Sequence, residues 1–143
     1  MKKVLIVDDS NTARMVIKRC LQIAGLPDAA FFEAGNGREA LSLLKKEPVD
    51  LVVTDLNMPV MDGETFLRWL KGSPKTHDIP VIMVSSAGNP AKEKEVLALG
   101  ARAVIGKPVS PGELSRSISD LVEGMGQWGA GTPASPEVWE GSE

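Results

Sequence analysis

The sequence predicts an α/β fold built on a parallel sheet, and three observations carry that expectation. Short apolar runs alternate with segments of helical spacing along the whole chain. The runs Val4-Leu5-Ile6-Val7, Leu51-Val52-Val53 and Ala103-Val104-Ile105 are nearly continuous rather than alternating, as in strands covered on both faces. Each run leads into polar or charged residues: Asp8-Asp9-Ser10, Thr54-Asp55 and Gly106-Lys107-Pro108.

The elements follow in order. The first strand is expected over roughly Lys3 to Val7. Ala13, Val16, Ile17, Cys20, Leu21 and Ala24 then recur at helical spacing, and Gly25 ends that helix. Ala30-Phe31-Phe32 is a short second strand. Ala40, Leu41 and Leu44 form the stripe of a second helix, stopped by Pro48. The third strand leads into Asp55, and Phe66, Leu67 and Leu70 mark the third helix, with Trp69 expected to pack beside them. Pro80 to Ser85 is the fourth strand. Asn89-Pro90 supplies an N-cap and a first-turn proline for a helix carrying Val96, Leu97 and Leu99, closed by Gly100. Val104-Ile105 is the fifth strand. Ser110-Pro111-Gly112-Glu113 has the spacing of a capping box, ahead of Leu114, Ile118, Leu121 and Val122. Right-handed crossovers place helices on both faces of the sheet.

The 143 residues suit one domain, with a net charge of −3 that lacks the basic excess of a nucleic-acid binder. The single cysteine, Cys20, falls on an apolar helical stripe and reads as a buried thiol. After Met1-Lys2-Lys3 only four apolar residues run up to Asp8, too few for a signal peptide, and no apolar stretch reaches membrane-spanning length. A cytoplasmic location is the resulting expectation, with neither nucleic acid nor membrane as partner. After Val122 the chain changes character. Residues 124–143 are rich in Gly, Pro, Ser and Ala, with glutamate as the only charged type. They read as a flexible acidic tail on a domain spanning residues 1–123. Trp128 and Trp139 are either incidental there, or the segment Pro136-Glu137-Val138-Trp139-Glu140 is a short partner-binding motif.

In a parallel sheet the carboxyl ends of the strands share one edge, and ligands bind there. Asp8, Asp9 and Asp55 should therefore meet Lys107 in one cleft. Carboxylates gathered so closely repel unless a cation lies between them. Hard oxygen ligands with room for water suit Mg²⁺. Taken singly, each residue has a plainer explanation. Asp8 and Asp9 could be turn or N-cap residues, Asp55 a solvated strand end, Ser85 a cap and Lys107 an exposed cation. His77, the only histidine, lies in a polar loop and reads as solvated.

Asp8-Asp9-Ser10, Asp55-Leu56-Asn57-Met58-Pro59, Asp62-Gly63, Ser85-Ser86 and Lys107-Pro108 occur in an order and at intervals that strongly resemble the receiver domain of two-component response regulators, over roughly residues 3 to 123. The resemblance implies a flavodoxin-like doubly wound sheet of strand order 2-1-3-4-5. It implies that Asp55 accepts a phosphoryl group, that Asp9 and Asp55 ligate Mg²⁺ directly, that Asp8 acts through a water, and that the Asn57 backbone carbonyl completes the protein ligands. Lys107 would neutralise the transferring group, and Ser85 would donate its hydroxyl to it once bound. The Lys107-Pro108 peptide bond would be cis. The phosphoryl donor would be a sensor histidine kinase. Output would come from docking of another protein on the face formed by the fourth helix, fifth strand and fifth helix of a monomer. Such a protein catalyses only its own phosphorylation and dephosphorylation.

One departure stands out. Many receivers carry Phe or Tyr where this chain has Val104, and a valine has no ring to swing inward and little χ1 freedom. The expected function is a single-domain phosphoacceptor switch of the chemotaxis-regulator type. The alternatives are an intermediate receiver of a phosphorelay, or a Mg²⁺-dependent phosphohydrolase passing through an aspartyl phosphate. The last needs a second acid near Asp55, and Asn57 stands in its place. A nucleotide-binding module is disfavoured, because no glycine-rich loop follows the first strand.

Overall fold

The computed structural model describes residues 2–86 and 90–130, and side chains as far as Val122. Five strands and five helices alternate: β1 Lys3–Val7, α1 Asn11–Ala24, β2 Ala30–Ala34, α2 Gly37–Leu44, β3 Leu51–Asp55, α3 Gly63–Lys71, β4 Val81–Ser85, α4 Pro90–Ala98, β5 Ala103–Gly106 and α5 Pro111–Ala130. The strands form one parallel sheet in the order β2-β1-β3-β4-β5. This is the expected doubly wound topology. β2 runs two residues beyond the Ala30-Phe31-Phe32 core anticipated for it.

Residue alternation divides the interior into two cores. Val4, Ile6, Leu51, Val53, Ile82, Val84 and Ile105 face α1 and α5, where Ile17, Leu21, Leu114 and Ile118 close over them. Leu5, Val7, Val52, Val81 and Met83 face the other way, against Ala40, Leu44, Phe66, Leu67, Leu70 and Val96 of α2, α3 and α4. Strands buried on both faces explain the continuous apolar runs. Val104 is half-buried on the α2–α3–α4 side, paired in register with Met83.

The helix starts are fixed by local chemistry. Ser10 caps α1, accepting from the Ala13 amide at 3.2 Å. Asn36 caps α2 and Asp62 caps α3, accepting from Glu39 and Thr65 amides at 2.9 and 2.8 Å. Ser110 caps α5 as the spacing predicts, accepting from the Glu113 amide at 3.2 Å, and its hydroxyl donates to Glu113 Oε1 at 3.4 Å. The Lys107-Pro108 bond is cis. Cys20 is buried, as expected. Val16 and Leu97, placed on apolar stripes, are exposed, and so is Trp69; Val16 and Trp69 sit on the outer side of amphipathic helices whose inner positions fill the core, while α4 is barely amphipathic and buries Val96 alone among its residues. The Asn89 cap lies outside the described residues. The helical backbone of α5 continues through Ala130, past Glu123, while residues 131–143 lie outside the described residues.

The seat of α3 depends on a missing side chain. A Cβ on Gly63 would lie 2.4 Å from the Asp55 carbonyl oxygen and 2.8 Å from Leu56 Cα. Both are backbone atoms, so neither can rotate away. The Gly63 amide instead donates to the Leu56 carbonyl at 2.9 Å. The first turn of α3 thus rests directly on the end of β3. Gly63→Ala is expected to force the two apart and to destabilise the fold by about 1–3 kcal/mol, the usual cost of overpacking. Urea unfolding measures this; an unchanged midpoint would mean that the loop yields freely.

Candidate functional site

The carboxyl ends of β1, β3, β4 and β5 follow one another along one edge of the sheet, because β1 pairs with β3, β3 with β4 and β4 with β5. Asp8 follows β1 directly and is 1% exposed; Asp55 closes β3 and is 4% exposed. Asp9 is exposed at the rim. One carboxylate oxygen from each of the three lies within 4.8 Å of the others. Lys107, just after β5, approaches from the far side, its Nζ 3.2 Å from Asp8 Oδ2 and 3.5 Å from Asp55 Oδ2. The sequence-predicted cluster is therefore assembled by the topology alone.

Local bonds hold each group in place. The Ser10 amide donates to Asp8 Oδ1 at 2.9 Å, and the Asp8 amide donates to the Ala34 carbonyl at 3.1 Å. Arg14, on the first turn of α1, donates to the Asp8 carbonyl and pairs with Glu33 on β2 at 2.8 Å. Asp8 is thus neither a helix cap nor a loose turn residue. Sequence reasoning assigned no part to Arg14, because only the tertiary position of Glu33 shows where the guanidinium points. The Lys107 amide donates to the Ser85 carbonyl at 2.9 Å, which ties β5's end to β4's. Ser85 is 5% exposed, one residue beyond the Asp55↔Val84 pair. It is a buried strand end. Asn57 is exposed in the loop after β3. In that loop Val60 holds φ at 70°, a left-handed conformation that a β-branched residue rarely adopts. His77 is exposed and remote from this cluster in the loop after α3.

The electrostatics follow from the crowding. Burial, and then the charge of Asp8, push the Asp55 carboxyl above its ordinary range; Lys107 and the backbone amides of Asn57 and Leu56 pull the other way and do not cancel it. Burial alone would lower the Lys107 ammonium, but the charge of Asp55 and the bond and charge of Asp8 outweigh it and raise the group. Three carboxylates face one ammonium, and the surplus is negative. Two buried oxygens and one at the rim form an open, hard-oxygen donor set, which fits a hydrated divalent cation such as Mg²⁺ better than a closed protein cage.

Comparison with known proteins agrees with this geometry. The family model for the response regulator receiver domain matches residues 4–119. The chain belongs to this family. A chemotaxis protein CheY homolog of Campylobacter jejuni subsp. jejuni is 38% identical over 121 residues, 84% of this chain and 92% of that protein. The solved structure of the chemotaxis response regulator CheY4 of Vibrio cholerae superposes with a TM-score of 0.73 at 34% identity, covering 85% of this chain and 98% of that one. The receiver domain of a DNA-binding response regulator from Colwellia psychrerythraea 34H gives a TM-score of 0.77 at 32% identity, over 86% of this chain and 99% of that one. The receiver fold is thus shared by proteins with different outputs. Among the described residues of this receiver, no helix is long and apolar enough to cross a membrane.

A raised Asp55 carboxyl has a consequence for stability without metal. The folded chain holds the Asp55 proton to higher pH than the unfolded chain does. Stability therefore falls as pH rises from the ordinary carboxylate range to the folded value, and stays lower above it. In EDTA at neutral pH, Asp55→Asn is expected to melt above the wild type. The gap should close as pH drops below the ordinary carboxylate range. Thermal melts across pH check this; a variant no more stable than wild type in EDTA would show that the crowding is harmless.

Proposed function

We propose that this receiver accepts a phosphoryl group on Asp55 from a phosphohistidine of a sensor kinase, in a Mg²⁺-dependent reaction, and signals through protein docking. The observation that carries the reading is the convergence of Asp8, Asp9 and Asp55 within 4.8 Å, with Lys107 closing the far side. Asp9, Asp55 and the Asn57 carbonyl would hold Mg²⁺ directly, and Asp8 through a water. Bound there, the ion would neutralise charge on the phosphoryl oxygens and on the crowded carboxylates.

The chain's own residues do the rest. An Asp55 carboxylate oxygen attacks phosphorus while the bond from phosphorus to the donor nitrogen breaks, leaving an aspartyl phosphate and a free imidazole. Lys107 moves with the charge, from the Asp55 oxygen to the incoming phosphoryl oxygen, without crossing the cleft. The Ser85 hydroxyl, at the adjacent strand end, donates to another phosphoryl oxygen. Attack of water on the same phosphorus releases phosphate and restores Asp55. Asn57, in place of a second acid, favours a lasting phosphoryl switch over a phosphohydrolase.

Chemotaxis is the favoured setting, since the first relatives carry that role in their names and match nearly their whole length. A phosphorelay intermediate would use the same site. The protein would act in the cytoplasm as a monomer, and the docking face would be that of α4, β5 and α5. Val104 is compact, and it fills little of the space that a Ser85 shift would open. The change would then be carried by the segment from Ser85 to Lys94.

Acetyl phosphate with Mg²⁺ should add one phosphoryl group to the wild type and none to Asp55→Asn, read by intact mass. An equally labelled variant would overturn the assignment. Asp9→Ala should weaken Mg²⁺ binding on the order of tenfold or more, measured by titration. Val104→Phe should leave phosphorylation of Asp55 nearly intact but alter hydrogen exchange over residues 85–94 in the presence of a phosphoryl mimic. Protection confined to α2 would refute that route.

A further inference from the structure

A groove of about 980 Å³ runs between α2 and α3, on the sheet face away from α1 and α5. Its floor is apolar, and its rim carries Arg38, Lys45, Arg68 and Lys75 with no acidic residue among the lining. Arg68 is paired with Glu64 at 3.0 Å. Arg38, Lys45 and Lys75 are exposed and form no ion pair among the described residues. Trp69 and Val60 stand at its edge, 60% and 72% exposed. A basic rim around an apolar strip with an open indole calls for an acidic segment carrying an aromatic side chain.

The chain contains such a segment. No lysine or arginine follows Arg116, and Glu137-Val138-Trp139-Glu140 sets an apolar pair between two acids. We propose that this C-terminal segment docks in the α2–α3 groove of its own chain, Trp139 against the apolar floor and Glu137 and Glu140 against Lys45 and Lys75. The path is short enough. Helices run antiparallel to the strands of a parallel sheet, so α5 ends at the same edge of the sheet as Gly72 to Thr76, the groove's near end. Val122 already lies over the end of α1, where a Cβ on Gly25 would come 3.2 Å from it. From Ala130 to Trp139 is nine residues, an extended reach of about 30 Å. A sheet with a helix layer on each face is on the order of 20 Å thick between helix axes. Exposed charge pairs are individually weak. Tethering compensates, since a short linker gives an effective concentration in the millimolar range, about 10⁻³ M.

The test places a nitroxide on Ser142→Cys in a Cys20→Ala background of the full chain, with no Mg²⁺ or phosphodonor, so that it stands apart from the phosphoacceptor reading. Amides of residues 38–45 and 69–76 are expected to lose signal selectively, and to recover in Lys45→Glu/Lys75→Glu and on raising salt. Thermal melting checks that the double variant is folded, and the salt series stands if it is not. Uniform or absent broadening would overturn the proposal, as would selective loss on the α4–β5–α5 face. So would signal loss in an unlabelled isotopic chain mixed with the spin-labelled one, because the occupant would then be a second copy.

Discussion

Everything at the functional edge turns on an imbalance of charge. Asp8 and Asp55 are almost fully buried, and the ammonium of Lys107 is shared between them at 3.2 and 3.5 Å. One cation cannot neutralise two buried carboxylates and a third at the rim. The fold tolerates this because the parallel sheet fixes all three strand ends in one row, backed by cores that would be lost if the ends splayed. A site held in such tension gains more from a divalent ion, or from phosphorylation that brings new partners, than a relaxed site would.

The tension is managed by contacts around the carboxylates, several of them through backbone atoms. Arg14 ties the Asp8 backbone to β2 through Glu33. Gly63 lets α3 sit on the carbonyl of Asp55. The Ser85 carbonyl receives the amide of Lys107, which couples the two strand ends that would both touch a phosphoryl group. Movement of Ser85 would therefore be felt by the Lys107 backbone through that bond.

Much of this was legible in the residues. The continuous apolar runs gave the buried parallel strands, and their polar ends gave the cluster, because topology alone brings strand ends together. The caps at Ser110 and the stops at Gly25 and Gly100 were readable from local chemistry. What escaped was whatever depends on which side of a helix is outermost. Val16, Leu97 and Trp69 are apolar but exposed, since periodicity locates a stripe better than its edges. The part played by Arg14 needed the position of a residue 19 places away in sequence. The basic rim of the groove combines side chains from two helices and the loop beyond α3, and no linear pattern announces it.

The sheet also partitions the molecule's capacity to change. The side chains beneath α1 and α5 and those beneath α2, α3 and α4 form separate clusters with the strand backbones between them. Substitutions in one cluster share no side-chain partners with the other, so their effects should be nearly additive. One flank can drift toward new surfaces while the other keeps its own constraints. A lineage of such proteins could thus diversify its associations on one side without re-solving the packing that holds the acidic row in place.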